Sequence, residues 1–378
     1  MSTLELQSEL TSAEPAVGGI PDWVASIPEN RRKHLRIWLW IGAIITASTL
    51  FIGGVTRLTE SGLSMVDWEP IIGVIPPISD ADWNAAFARY QEFPEYIQAR
   101  PDMTMGEFQF IYFWEYLHRM MGRFLGVVFA VPFIVFWIRG YFNPPLIRRL
   151  LLLFVLGGAQ GLMGWYMVQS GLVDNPDVSH VRLASHLVLA VTIFACCIWF
   201  ANDLLARPVK TIAMRSRNFL KNTIIWIGVL LGIQIFWGGL VAGLKAGLSF
   251  NTFPLMGGQL VPPGAWGMNP TIINLVENPA TVQWLHRVLA TLLLGAAIAL
   301  WYRIRRDDTL ARFRTWSAWL AGIIVLQYLL GILTVLTHVR IDAAVTHQMV
   351  ALITVGILLT FLHVLLHHVP EEQEAAGQ

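Results

Sequence analysis

Residues 113–123 read FWEYLHRMMGR, and residues 281–291 read TVQWLHRVLAT. The shared LHR, at 117–119 and again at 285–287, places a histidine and an arginine in two apolar segments 168 positions apart (286 − 118). Reading outward, FIGGVTRLTESGLSM from Phe51 recurs as FWGGLVAGLKAGLSF from Phe236, an offset of 185 that matches Phe51, Gly53, Gly54, Gly62, Leu63 and Ser64 with Phe236, Gly238, Gly239, Gly247, Leu248 and Ser249. Pro76-Pro77 returns as Pro262-Pro263, Gln160 and Gly164 match Gln327 and Gly331 at offset 167, and His186 matches His347 at offset 161. The chain is an internal duplication, and repeats of this length are to be recognised before any local reading. The falling offsets put the extra residues of the first half in its outer loops.

The composition says where such a chain lives. Of its 378 residues 55% are apolar and 13% charged, against roughly 25% charged in soluble domains. Runs of about 20 apolar residues, the length a bilayer requires, fall near 36–54, 110–138, 147–168, 183–202, 221–242, 281–302, 315–336 and 345–366. The predicted class is therefore an all-α integral membrane protein. Its eight transmembrane helices form two four-helix bundles, a parallel duplication. An even number of spans per half inserts both halves alike, related by a pseudo-two-fold along the membrane normal. The expected division is a tail at 1–34, one bundle at 35–202, a linker at 203–220, the second bundle at 221–367 and a tail at 368–378. A net charge of +1 gives no reason to expect a nucleic acid. Cys196 and Cys197, adjacent in an apolar run, read as small helix residues and not as a disulfide.

Basic residues set the orientation. Arg31, Arg32, Lys33, Arg36, Arg139, Arg148, Arg149, Arg207, Lys210, Arg215, Arg217, Lys221, Arg303, Arg305, Arg306, Arg312 and Arg314 flank one face. Arg57, Arg89, Arg100, Arg182, Lys245 and Arg340 flank the other. Seventeen against six predicts cytoplasmic termini and an external segment 55–109. Residues 1–30 carry Glu5, Glu9, Glu14, Asp22 and Glu29 with no Lys or Arg, unlike a mitochondrial transit peptide, so the expected location is a bacterial inner membrane. The segment 55–109 contains Asp67, Glu69, Asp80, Asp82, Glu92, Glu95, Asp102 and Glu107 with Trp68, Trp83, Phe87 and Tyr90 interleaved. It reads either as short amphipathic helices on the outer surface or as a solvated loop. Aromatic residues of the first span, Trp38 and Trp40, would suit lipid or a partner protein, and the sequence leaves open whether the chain is a homo-oligomer.

Four histidines, His118, His186, His286 and His347, occupy repeat-matched positions, two per half, in helices that run from outside to inside. Ionisable groups within the bilayer are costly and usually functional, although any one of them alone would read as a hydrogen-bonded packing residue. Zinc would need further ligands, and Glu115 alone is at hand; a proton relay would need acids that the other spans lack. Haem, held by one or two axial imidazoles from facing helices in an apolar pocket, fits the count best, with one per half. His34, His180, His338, His363, His367 and His368 read as non-ligands. Arg119 and Arg287 follow the LHR histidines and suit haem propionates or, equally, outer-loop carbonyls; Arg57 follows the first glycine pair and is placed to reach the same pocket. The halves differ at Glu115, three residues before His118, where the second half has Gln283. That carboxylate reads as catalytic or as an i,i+4 partner of Arg119, and both can hold. The N-terminal half thus reads as a working site for an exchangeable, haem-like substrate, and the C-terminal half as a fixed electron-transfer haem.

These residues resemble the haem A synthase family. The resemblance rests on GGVTRLTESGLSM at 53–65, FWEYLHRMMGR at 113–123, His186, the LHR of span six and THQ at 346–348, and it covers nearly the whole chain outside the first thirty residues and the tail. It implies oxidation of the C8 methyl of haem O to a formyl group by successive hydroxylations, through a geminal diol that loses water. The product is haem A for cytochrome c oxidase. It further implies that His118 and His186 flank the substrate haem, that His286 and His347 ligate a haem b, that Glu115 is the essential acid, and that haem O synthase and an electron-transfer protein are partners. Some members carry two cysteines in the first outer loop; residues 55–109 hold none, so the chain resembles the cysteine-free subgroup. The alternatives are a non-catalytic dihaem cytochrome b, which leaves the Glu115/Gln283 difference unexplained, and a transporter with parallel repeats.

Overall fold

The computed structural model describes residues 22–66, 72–173, 176–206 and 211–371. Asp67, Trp68, Glu69, Arg207, Lys210, Glu5, Glu9, Glu14 and the tail after 371 lie outside the described residues. Among the described residues eight helices are long and apolar enough to cross a membrane: α1 Glu29–Leu58, α2 Met105–Ile138, α3 Pro144–Gln169, α4 His180–Asp203, α5 Met214–Gly243, α6 Pro279–Arg306, α7 Arg314–Leu336 and α8 Ile341–Leu366. The chain is a multi-pass helical membrane protein. Several helices outrun their apolar runs because capping chemistry sets their ends. Thr104 and Glu107 form a capping box that starts α2 early, and Asn143 and Asn278, each followed by proline, cap α3 and α6, as orphan amides at helix starts require. α1 already begins at Glu29, so Arg31, Arg32, Lys33 and Arg36 lie in its first turns and not ahead of it.

Helix neighbours recur between the halves. α1 packs on α2 and α4, and α3 on α4; α5 packs on α6 and α8, and α7 on α8. α4–α5, α1–α8 and α4–α8 contacts join the halves. One neighbour pair does not recur: α6 runs packed along α7, whereas the α2 and α3 backbones stay apart and meet through side chains toward the termini's face, Phe129 and Phe133 against Phe154 at 6.2 and 5.0 Å between ring centroids. Gly122 and Gly126 of α2 and Gly157, Gly158 and Gly161 of α3 have open space within 4 Å of the Cβ position. The backbone separation between α2 and α3 is thus wider than that between α6 and α7.

The second glycine of each repeated pair is what brings the halves close. A Cβ on Gly239 would lie 2.7 Å from Ala184 Cα, and one on Gly54 would lie 2.8 Å from Gln348 Oε1, whose amide donates to Leu50 O at 2.7 Å. Small residues at membrane helix crossings allow this backbone approach. At the termini's face a short parallel pair, β1 Thr211–Ala213 with β2 Val369–Glu371, ties the linker to the end of α8.

On the opposite face, here called outer, the 55–109 segment forms a helix at Asp80–Tyr90 and a π-helical turn at Glu95–Ala99. Its Trp83 and Phe87 turn inward onto Tyr112 (5.2 Å between ring centroids) and Phe108 (5.0 Å), around buried Tyr90, Phe108 and Ile111. The helical expectation holds there, and these aromatics pack into the core of a small cap. Trp38 departs from expectation. It is buried, lies tilted against Phe129 and edge-on to Phe136 and donates its indole N–H to Val128 O at 2.9 Å, while Trp40 alone of the two faces outward. Two residues are 200° apart on a helix, so the pair cannot share a face. Cys196 and Cys197 are free thiols.

Gly239→Ala is expected to destabilise the detergent-purified protein by about 1–3 kcal/mol through overpacking against a backbone atom. Gly295→Ala, with open space at its Cβ, should be neutral or stabilising. Equal thermal midpoints for the two variants would contradict the close crossing of α4 and α5.

Candidate functional site

The first glycine of each pair serves the histidines. A Cβ on Gly53 would lie 2.7 Å from His118 Cε1, on Gly238 3.2 Å from His286 Cε1, on Gly164 3.1 Å from His186 Cε1 and on Gly331 3.0 Å from His347 Cε1. All four imidazoles thus lie in notches cut by a glycine one helix away. Three are also met by an amide. Gln160 Nε2 is 3.3 Å from His186 Nε2, Gln234 Nε2 is 3.3 Å from His286 Nε2, and Gln327 Nε2 is 3.4 Å from His347 Nε2. The fourth position breaks the pattern: at offset 185 Gln234 corresponds to Thr49, whose hydroxyl is spent on Ile45 O. His118 has no amide partner of this kind.

His186 lies within electrostatic reach of His118, and His286 within reach of His347. Every one of the four keeps a buried Nδ1 with no partner, which an uncharged, desolvated site normally avoids. Paired imidazoles from two helices, each with an orphaned ring nitrogen, in glycine-lined apolar surroundings, fit a porphyrin held between two axial ligands. The donor set fits a metal cage poorly: no group of three His, Cys, Asp or Glu side chains that could hold a metal ion occurs among the described residues.

Glu115 is buried and taken up by four donors. Its Oε2 accepts from Ser64 Oγ at 2.7 Å and Met65 N at 2.8 Å, and its Oε1 accepts from Arg119 Nε at 3.1 Å and Nη2 at 2.5 Å. Arg119 Nη2 also donates to Met65 O at 2.7 Å. The second half keeps the frame without the charge, since Arg287 Nη2 donates to Phe250 O at 2.8 Å and Gln283 Nε2 to the same oxygen at 3.0 Å. Met65 and Phe250 are themselves repeat partners. Both arginines therefore hold the turn after the preceding helix, as the carbonyl reading expects. Arg57 reaches across to α5, donating to Ala242 O and Gly243 O at 2.9 and 3.3 Å, a favourable cation at a helix C-terminus.

Of the other histidines, His363 is buried and paired with Asp203 at 2.9 Å, and His180 lies 3.4 Å from Glu277. Sequence reading missed Gln234 and Ser64 as parts of the site. The signal was available: Gln234 precedes Gly238 by the same four residues that separate Gln160 from Gly164 and Gln327 from Gly331.

Fold and site define a duplicated, eight-helix membrane protein that presents one buried imidazole pair per half. The model of the cytochrome oxidase assembly protein family COX15-CtaA matches residues 36–359. Curated relatives include proteins called "Heme A synthase" from Rhodospirillum centenum (43% identical, covering 94% of this chain and 92% of that protein), Sinorhizobium medicae (42%, 87% and 89%) and Nitrosospira multiformis (40%, 85% and 90%). The chain belongs to the COX15-CtaA family.

Glu115→Ala should cost about 3–5 kcal/mol of stability, because it strands the Arg119 charge in a desolvated site. Glu115→Gln should cost clearly less, since Gln283 shows that an amide serves the same frame. Thermal unfolding of both variants checks this; equal losses would mean that the ion pair does not support the turn.

Proposed function

We propose that the chain is a haem A synthase, an oxidoreductase that converts the C8 methyl of haem O to the formyl group of haem A for cytochrome c oxidase. The observation that carries this reading is the inequality of two otherwise matched imidazole pairs. Only the first has a carboxylate, Glu115, beside it, only the first lacks a glutamine on one of its histidines, and only the first lies in the half whose α2 and α3 backbones stand wider apart than α6 and α7. A substrate that must arrive from the membrane and leave again is served by that wider spacing, and a resident group does not need it. The two-fold relation of the bundles is supported by the recurring helix neighbours.

In this reading His118 and His186 hold the substrate haem and orient its C8 edge. Glu115 is engaged by four donors, a geometry suited to a fixed negative charge that stabilises positive charge developing at the oxidised carbon more than to abstracting a proton. Ser64, Met65 N and Arg119 hold it in place. His286 and His347 would hold a haem b, which when bound supplies one-electron transfer. Gln234 and Gln327 each set a side-chain amide against one nitrogen of those two rings and so fix their orientation. Arg57 and Arg287, whose buried Nε atoms have no partner, and Arg119 are the candidates for propionate contacts. The basic-residue bias supports cytoplasmic termini, and the acidic residues 1–30, unlike a transit peptide, support a bacterial inner membrane. Haem O synthase is the natural supplier of substrate, with an electron acceptor as a further partner; self-association is a third contact the outward-facing Trp40 would suit.

The test is extraction and chromatography of haem from cells that express haem O synthase with this chain. Formyl-bearing haem is expected; haem B and haem O alone would favour the dihaem cytochrome instead. Glu115→Gln should keep haem b but lose roughly 100-fold or more of product formation, the scale of a lost preorganised charge. Undiminished yield would remove Glu115 from the chemistry. His286→Ala should lose the resident haem b, and a full haem b spectrum from that variant would reverse the assignment of the halves.

A further inference from the structure

The outer cap contains a carboxylate that the reading above leaves idle. Glu95, the first residue of the π-helical turn, is 6% exposed, and its Oε2 has no hydrogen-bond partner. The hydroxyl of Tyr90, itself buried and without a well-aligned partner, stands beside it. Arg100 is the nearest cation, its Nε 3.9 Å from Glu95 Oε1, too far for a hydrogen bond. Such a carboxylate is neither neutralised by a close ion pair nor saturated by donors, in contrast to Glu115.

Its position lies between the site and the surface. On one side Glu115 of α2 is near enough to act on it electrostatically. On the other, Arg100 meets Glu60 at 3.3 Å, Glu60 meets Lys245 at 2.7 Å, and Lys245 meets Asp177 at 3.2 Å. Those last side chains are solvent-accessible, Glu60 by 47% and Asp177 by 56%. The charged and titratable groups acting on Glu95 are thus Arg100 from its own segment, Tyr90 from the preceding helix, Glu60 from the turn after α1 and Glu115 from α2.

We propose that Glu95 is a proton-transfer group that links the substrate half of the membrane site to water on the outer face. The step is an exchange: the carboxylate takes a proton to become the carboxylic acid and returns it to the other side, to water beside Glu60 or toward the Glu115 end of the cap. The Tyr90 hydroxyl can pass a proton on by donating one as it accepts another. Burial, followed by the charge of Glu115, raises the Glu95 carboxyl to about 7, with Arg100 opposing. A proton carrier is most effective when its pKa lies near the working pH. Glu60, by contrast, is held below the ordinary carboxylate range, chiefly by its hydrogen bond from Lys245, and so stays ionised as the surface end of the chain. Oxidation of a methyl to a formyl group moves hydrogens off carbon in a site walled by apolar helices, and Glu95 with Tyr90 gives the cap groups able to take up and pass on their protons. The inference rests on the haem A synthase reading for its purpose but not for its first test.

That test is infrared titration of the purified full-length protein in its resting state. A C=O stretch from a buried protonated carboxyl should appear as pH falls through about 7 and be missing from Glu95→Gln. Titration of every carboxyl in the ordinary range near 4 would overturn the proposal. In the haem O conversion assay Glu95→Gln should slow formyl production by roughly tenfold or more and abolish the ionisation near 7 in the rate–pH profile, with Glu95→Asp restoring part of both. A purely structural role would lower yield without removing that ionisation. Wild-type rate and profile in Glu95→Gln would overturn the relay and leave the haem A synthase reading standing. Absence of formyl-haem from wild type as well would instead count against that reading, and the infrared band would still decide the behaviour of Glu95. Should Glu95→Gln fail to fold, a shifted band in Glu95→Asp makes the same assignment.

Discussion

A buried imidazole wedged into a glycine notch on the next helix is the contact from which the architecture follows. The ring has no place unless its neighbour lacks a Cβ, and each notch is tight: the four Cβ positions would lie 2.7 to 3.2 Å from the ring carbon. Each notch fixes the register of one helix pair, α1 with α2, α3 with α4, α5 with α6 and α7 with α8. Desolvating a polar ring is unfavourable unless something meets its nitrogens, and glutamine amides do so on one nitrogen of three rings. On each of the four rings Nδ1 is left without a hydrogen-bond partner.

Duplication explains why the chain has two such sites, and departure from duplication explains why the halves need not act alike. The second half keeps an uncharged Gln283, a full set of glutamine contacts and a packed α6–α7 seam. The first half replaces these with Glu115, Thr49 and a wider α2–α3 separation, and adds the cap over its outer end. Arg119 and Arg287 hold equivalent turns at equivalent distances, so the scaffold itself is shared. Differences concentrated against a common frame are what separate work from support in the proposed function.

Much of this was legible in the sequence. Spans, duplication, the four histidines and the Glu115/Gln283 contrast follow from apolar run length and from matching offsets, because a bilayer demands long helices and a repeat preserves spacing. Gln160, Gly164, Gln327 and Gly331 were visible as matches, but their role as ring partners depends on which helix faces which, and offset alone carries no such information. Trp38 was misread for the same reason, since hydrophobicity cannot tell a lipid-facing aromatic from one buried against Phe129. The inward turn of Trp83 and Phe87, and the burial of Glu95 among them, arise from tertiary packing of a segment that by composition could equally have been solvated. The closed ion pair of Glu115 with Arg119 was foreseeable from i,i+4 spacing, while the donors from Ser64 and Met65 come from a turn fifty residues away.

Near-infrared magnetic circular dichroism of the oxidised, purified protein, combined with haem-to-protein stoichiometry, bears on the paired imidazoles themselves. Two low-spin ferric haems per chain when substrate is present, each with the charge-transfer band of axial bis-imidazole ligation, is the predicted result. High-spin or mixed-ligand iron in both halves, or a purified chain that binds no haem at all, would contradict the account.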